Sequence, residues 1–203
     1  MWILFGGINA GAFEWFQWFK DIPDSNCALL LIEYPGYGKC EGVPRDKRIL
    51  ASSLQAFTEL AKYLDVPREL LEVDLGLLGH SLGTLTVMEF APYVHADKIL
   101  LISPISTLDD EVKSLFGDVK GSLVNVLNPE AYNNIRQIKL VLQKPDPPKI
   151  IIIHGDQDEI VPVRMGRELA ALSDSIEYHE IPGAGHPGLI KQEIDLIKSI
   201  MFR

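Results

Sequence analysis

The stretch GLLGHSLGT, residues 76–84, sets one serine between two glycines directly after a short apolar run. The run VDLGLL (73–78) has the length and composition of a strand, whereas LGTLTVMEFA (82–91) carries helical periodicity and stops before Pro92. Ser81 therefore falls on a strand-to-helix turn, where Gly79 and Gly83 relieve crowding in a tight backbone. The helix that follows would point its first N–H groups at negative charge developing on that turn. By itself the G-x-S-x-G pattern is weak, since one arises by chance in about one chain of this length in fifteen. Its surroundings have to carry the reading.

Outward from this turn, short apolar runs alternate with longer helical patterns. The strand candidates are WILF (2–5), CALLLIEY (27–34), VDLGLL (73–78), KILLIS (98–103), KIIIIH (149–154) and SIEYHEI (175–181). Helical periodicity covers 11–20, 46–64, 82–91, 163–172 and 187–202, with Asp46 placed to cap the second of these. That alternation predicts an α/β fold: a minimal, mostly parallel sheet of about six strands with helices on both faces. The segment 106–148 is longer than one crossover helix and ends in KPDPP, which predicts a small helical cap within a single domain spanning 1–203.

Composition narrows the function classes. The 203 residues are 47% hydrophobic and 23% charged, which suits one ordinary globular core. A formal net charge of −9 disfavours nucleic acid, whose phosphates call for clustered Lys and Arg. Cys27 and Cys40 form neither a disulfide framework nor a CxxC pair, so a reducing compartment, the cytoplasm, is expected. MWILFGGINAG lacks the basic start of a signal peptide, and no apolar run is long enough for a membrane span.

A serine hydroxyl becomes a useful nucleophile only when a base accepts its proton, and the base must be oriented in turn. Downstream, HGDQDEIVP (154–162) leaves a strand carrying three acids, and GAGH (183–186) leaves the next strand with His186 among small residues. The order Ser, Asp, His is the one that accompanies this turn type. Competing readings fail on spacing. His154, Asp156 and Asp158 have no second histidine-rich segment to complete a metal site. GAGHPG (183–188) fits G-x-G-x-x-G but leaves no room for a second strand with a ribose-binding acid, and GGINAG lacks the lysine of a P-loop. His80 has to fold back over its own turn to reach Ser81, so it reads as a packing or hydrogen-bonding residue.

Taken together, FGGINAG, EYPGYGKCEG, GHSLG, HGDQDEIVP and GAGH, in that order, resemble the serine hydrolases of the α/β-hydrolase superfamily along nearly the whole chain. The resemblance implies Ser81 as nucleophile, His186 as general base and then acid, and Asp158 as the carboxylate that orients it, with Asp156 and Glu159 as fallbacks. It implies an oxyanion hole from the backbone N–H groups of Leu82 and Ile8, with Asn9 the alternative to Ile8. It implies no cofactor and a small-molecule acyl ester or thioester as substrate, with an acyl pocket walled by Leu108, Leu115 and Phe116 of the cap. No role is assigned to Tyr34 or Tyr37. Acyl transfer or perhydrolysis on the same triad, and a catalytically silent binding scaffold, are the alternatives. The family's common sheet has eight strands, and this chain resembles it from the third onward. CALLLIEY then lies at a sheet edge although it reads as buried on both faces. A homodimer paired through that edge, or an N-terminal portion absent from the chain, would cover it.

Overall fold

Each of the six apolar runs splits its side chains between two faces, and the split dictates the layers. The computed structural model describes residues 1–7, 11–20, 27–116 and 132–202, apart from the side chains of Asp46 and Phe116. Strands β1 (Trp2–Phe5), β2 (Leu29–Ile32), β3 (Gly76–His80), β4 (Lys98–Ile102), β5 (Lys149–Gly155) and β6 (Glu177–Ile181) form one all-parallel sheet in the order β2-β1-β3-β4-β5-β6. On one face Ile3, Phe5, Leu77, Ile99, Leu101, Ile150 and Ile152 pack against α2 (Asp46–Tyr63), α4 (Leu82–Phe90), α6 (Asn134–Leu142) and α7 (Val163–Ala170) through Ile49, Phe57, Val87, Phe90, Ile138 and Leu169. On the other, Trp2, Leu4, Leu78, Leu100, Ile102, Ile151 and Ile153 meet α1 (Ala12–Phe19), α8 (Leu189–Gln192) and α9 (Ile194–Met201) through Trp15, Phe19, Leu189, Ile190 and Ile197. A period of two along each strand is what a parallel sheet covered on both sides requires.

Strand order places the site. From β1 the chain crosses to β2 on one side and later to β3 on the other, so the loops that follow β1 and β3 diverge and leave a crevice at their carboxyl ends. In register, Phe5 lies beside Gly79, His80 beside Ile102 and Gly155 beside Ile181, so every loop that follows a strand on this side opens onto the same edge.

Several boundaries depart from the sequence pattern for local reasons. Asp74 has a left-handed backbone, φ 52°, so VDLGLL opens in a turn, and β3 starts at Gly76 and runs on to His80. The second long helix starts at Asp46 with Arg45 as the extended residue ahead of it, so Asp46 is the first helical residue and not the cap. The C-terminal periodicity divides into α8 and α9 at Glu193, whose ψ of 22° breaks the helix. Helix α3 (Arg68–Leu71) had no sequence signal of its own, and Pro92 sits inside a short 3-10 turn, Ala91–Tyr93, that extends α4. β2 is the expected edge strand, with Leu29, Leu30 and Leu31 half-buried and Ile32 buried.

The segment expected to form a cap contributes α5 (Leu108–Phe116) and α6, and residues 117–131 lie outside the described residues. Its two ends are drawn together at the sheet by a bridge between Thr107 and Asn133 and by Leu108 N–H to Tyr132 O at 3.0 Å and Asn134 N–H to Ser106 O at 2.9 Å. Among the described residues no helix is long and apolar enough to cross a membrane.

Helix α4 comes so close to β1 that a Cβ on Gly83 would stand 2.1 Å from the Phe5 carbonyl oxygen and 2.6 Å from that of Gly6. Both are backbone atoms and cannot rotate away. Gly83→Ala is therefore expected to cost about 3 kcal/mol, measured as a lower urea midpoint with an unchanged m-value.

Candidate active site

Ser81 closes β3 and precedes the first turn of α4 with φ 54° and ψ −123°, a region that side chains other than glycine rarely occupy. Neighbours hold it there. Ser81 N–H donates to Ile102 O at 2.9 Å, tying the turn to the next strand, and the Ser81 carbonyl accepts from both the N–H and the hydroxyl of Thr84, at 3.0 and 2.6 Å. Thr84 Oγ1 in turn accepts from Ile105 N–H at 3.3 Å, and the buried Asn134 amide reaches Ile105 O at 2.7 Å. The strained turn is thereby connected to α6. Opposite it, a Cβ on Gly7 would sit 3.3 Å from the Ser81 Cβ, a tight approach, so the glycine keeps the space over the serine open.

The loops after β5 and β6 lock together through the three acids of HGDQDEIVP, and each acid takes a different task. Asp156 Oδ1 accepts from Gly183 N–H at 2.7 Å, and Glu159 Oε2 accepts from His186 N–H at 3.2 Å. Asp158 alone faces the imidazole, its two oxygens 3.0 and 2.8 Å from His186 Nδ1. Asp158 Oδ1 also accepts from the N–H groups of Ile160 and Val161 at 3.0 and 2.8 Å. Burial pushes the Asp158 carboxyl up, but hydrogen bonds from His154 and His186 and the charge of His186 outweigh it and hold the group well below the usual carboxylate range. With Asp158 on Nδ1, the nitrogen of His186 left for other partners is Nε2.

His154 is fully buried behind this pair, its Nε2 2.9 Å from Val161 O and 3.5 Å from Asp158 Oδ2. A carbonyl only accepts, so Nε2 carries the proton. Gly166 of α7 makes room for that ring, since a Cβ there would lie 2.4 Å from His154 Nδ1. His80, next to Ser81, packs its ring 5.0 Å from that of His186 and 6.1 Å from Trp15. Among the described residues neither of its ring nitrogens has a hydrogen-bond partner, and burial, with the nearby His186 charge, lowers its pKa to about 3. His80 is thus a neutral packing residue at the edge of the site.

Leu82 opens α4, where the first N–H groups of a helix lack intrahelical partners. Ile8 and Asn9 lie outside the described residues. Tyr34, from EYPGYG, is buried and donates to Gly6 O at 3.0 Å, which fastens that loop to the one following β1. Leu108 is enclosed with Leu85, Ile105, Tyr132, Val161 and Met165, Leu115 is about half exposed, and the side chain of Phe116 is outside the described residues. Among the described residues no group of three or more His, Cys, Asp or Glu side chains is arranged to hold a metal ion. The residue that sequence reasoning passed over is Glu111 of α5, a buried acid on which the charges of His186 and Asp158 act. Its neighbours Asp109 and Asp110 made the segment look like a solvated helix start.

Solved structures share this arrangement of strands and helices. Est1E from Butyrivibrio proteoclasticus, with ferulic acid bound, superposes with a TM-score of 0.69 at 22% identity, over 98% of this chain and 85% of that one. MGS-M2, an alpha/beta hydrolase enzyme from a Medee basin deep-sea metagenome library, gives 0.69 at 12% identity over 98% and 86%. The chain has the α/β-hydrolase fold. A monoacylglycerol lipase from Paleococcus ferrophilus gives 0.63 at 16% identity over 98% and 93%. No family model matches the chain. In sequence, the uncharacterized protein YfhR is 27% identical in Salmonella typhi and 26% identical in Salmonella typhimurium strain LT2, each over 164 residues. These matches take in 75% of this chain and 52% of each relative, so the chain spans about half the length of the curated relatives it matches. On the α/β-hydrolase sheet, Ser81 stands after the central β3, with Asp158 and His186 on the loops after β5 and β6.

Because the folded protein depresses the Asp158 carboxyl below its ordinary value of 3.8, that group stabilises the fold above about pH 4 and ceases to do so as pH falls through the folded value. Asp158→Asn, which leaves His186 facing an amide, is expected to lose about 2 kcal/mol at pH 7 and progressively less below pH 4. Denaturant unfolding across that pH range measures it.

Proposed function

We propose that this protein is a serine hydrolase that cleaves a carboxylic ester or thioester, with Ser81, Asp158 and His186 as its triad. The observation that carries the reading is the paired grip of Asp158 on His186 Nδ1, at 3.0 and 2.8 Å, at the same end of the sheet as a serine held at φ 54°. An imidazole fixed in that tautomer leaves Nε2 to take the Ser81 proton, and a strained turn presents the hydroxyl clear of its own backbone. As Ser81 Oγ bonds to the acyl carbon, its proton passes to His186. The bond to the leaving alkoxide or thiolate then breaks while His186 returns the proton to it. Water repeats the sequence in reverse and frees the acid. Leu82 N–H at the start of α4 is one donor for the oxyanion, and the loop after β1, where the resemblance points to Ile8, supplies the other. The chemistry calls for no cofactor.

A lipase among proteins of the same fold is in keeping with an ester substrate. Leu82 and Val112, which are only partly buried against the apolar cluster between α4, α5 and α7, favour an acyl chain on that side of Ser81. An activated nucleophile is what separates this reading from a silent binding scaffold.

A fluorophosphonate probe is expected to label Ser81, with the labelled peptide found by mass mapping and lost in Ser81→Ala. With p-nitrophenyl esters, His186→Ala is expected to lower kcat by about 10⁴-fold while the protein stays folded. Folded wild-type protein that takes no label would overturn the assignment and favour the scaffold.

A further inference from the structure

Three consecutive acids open α5, and two of them are engaged by cations. Asp109 pairs with Lys113, and Asp110 holds Arg164 of α7 through two bonds of 2.5 and 3.1 Å. Glu111 is the third. It is 5% exposed, and among the described residues its Oε2 has no hydrogen-bond partner. Among the described residues, the charged groups whose fields act on it are Asp110 on its own helix, Arg164 on α7, Asp158 on the loop after β5 and His186 on the loop after β6. Arg164 is already bridged to Asp110, and Asp110 and Asp158 are acids. Among the described residues, the other positive charge that acts on Glu111 is the imidazolium of His186, which Asp158 holds at Nδ1.

An enclosed carboxyl with an unmet oxygen destabilises the fold, and such groups persist where a site needs their charge. We propose that Glu111 is a positioning residue of the site, its carboxylate stabilising the imidazolium that His186 becomes while Ser81 is acylated. This rests on the reading of Ser81, Asp158 and His186 as a triad. Glu111 forms no bond to the substrate and exchanges its own proton only with solvent. In the transition state the positive charge of the His186 ring is then shared by two carboxylates, Asp158 bonded at Nδ1 and Glu111 of α5 acting through the field. A protonated Glu111 leaves Asp158 alone in that role. Rate should therefore follow the ionisation of Glu111. Burial pushes that group up to about 7 against the opposing pull of His186, which puts the change in the neutral range.

The same displacement has a signed effect on stability. The carboxyl is raised from its ordinary 4.5, so the folded chain keeps its proton between pH 4.5 and about 7 while the unfolded chain loses it. Stability contributed below pH 4.5 is lost across that interval. Glu111→Gln, which cannot ionise, is accordingly expected to gain in stability relative to wild type at pH 8 compared with pH 4, so the variant remains folded where its kinetics are measured.

The test has two arms on the full chain. Carboxyl ¹³C NMR should show Glu111 titrating near 7 in the wild type and at higher pH in His186→Gln, where no imidazolium can oppose burial. Identical midpoints in the two proteins overturn the proposal. In the second arm, p-nitrophenyl ester hydrolysis by Glu111→Gln should show a kcat at pH 8 about tenfold lower and a pH profile without the ionisation near 7. Glu111→Asp, which retains the charge, should keep that ionisation. A Glu111→Gln profile that matches wild type overturns the proposal. Ser81→Ala, run alongside, separates the two readings. Full activity in Ser81→Ala sinks the triad, whereas lost activity there with an unaltered Glu111→Gln profile sinks the Glu111 role alone.

Discussion

The contact on which the rest depends is the one between Gly83 and the carbonyl oxygens of Phe5 and Gly6. Helix α4 can begin immediately after β3 only if its first turn slides against the end of β1, and a single methyl group would prevent it. That approach forces the chain to reverse within one residue. Ser81 is that residue, and its left-handed backbone is the consequence of the packing. The strain is held by bonds on both sides, from Ile102 across the sheet and from Thr84 within the helix. Central strands, a close helix and a serine lifted above the strand ends are one geometric solution.

A second constraint acts at the far side of the sheet. The loops after β5 and β6 carry no regular structure of their own, yet their mutual position is defined by three carboxylates accepting from backbone and ring N–H groups. Acids that would repel one another in a solvated loop are distributed over separate donors. The buried His154, whose Nε2 lies between Val161 O and Asp158 Oδ2, backs Asp158 from behind. An imidazole orientation is thus set by a network in which each acceptor has a different donor.

Much of this could be read from residue patterns, for identifiable reasons. Strands buried on two faces leave long apolar runs, so WILF, KILLIS and KIIIIH marked β1, β4 and β5 to within a residue or so of their ends. Ser81, His186 and the acids of HGDQDEIVP were visible because glycines and turn residues punctuate the strand ends that carry them. What escaped depended on the third dimension. Asp74 looked like part of a strand because a backbone angle leaves no mark on composition. The division of labour among Asp156, Asp158 and Glu159 follows from where Gly183 and His186 land, which local sequence does not encode. Glu111 was hidden in an acidic helix start, since Asp109, Asp110 and Glu111 share a composition while only one turns inward.

The meeting of Thr107 with Asn133 has a consequence for how such a chain can change. Both ends of the intervening stretch are fastened to each other and, through Asn134 and Thr84, to the turn that bears the serine. Loop closure depends only weakly on the number of residues enclosed once the ends are fixed. The number of residues between those two anchors can therefore change among descendants of this sequence at little cost to the register of the sheet, as long as the turn that carries Glu111 is kept.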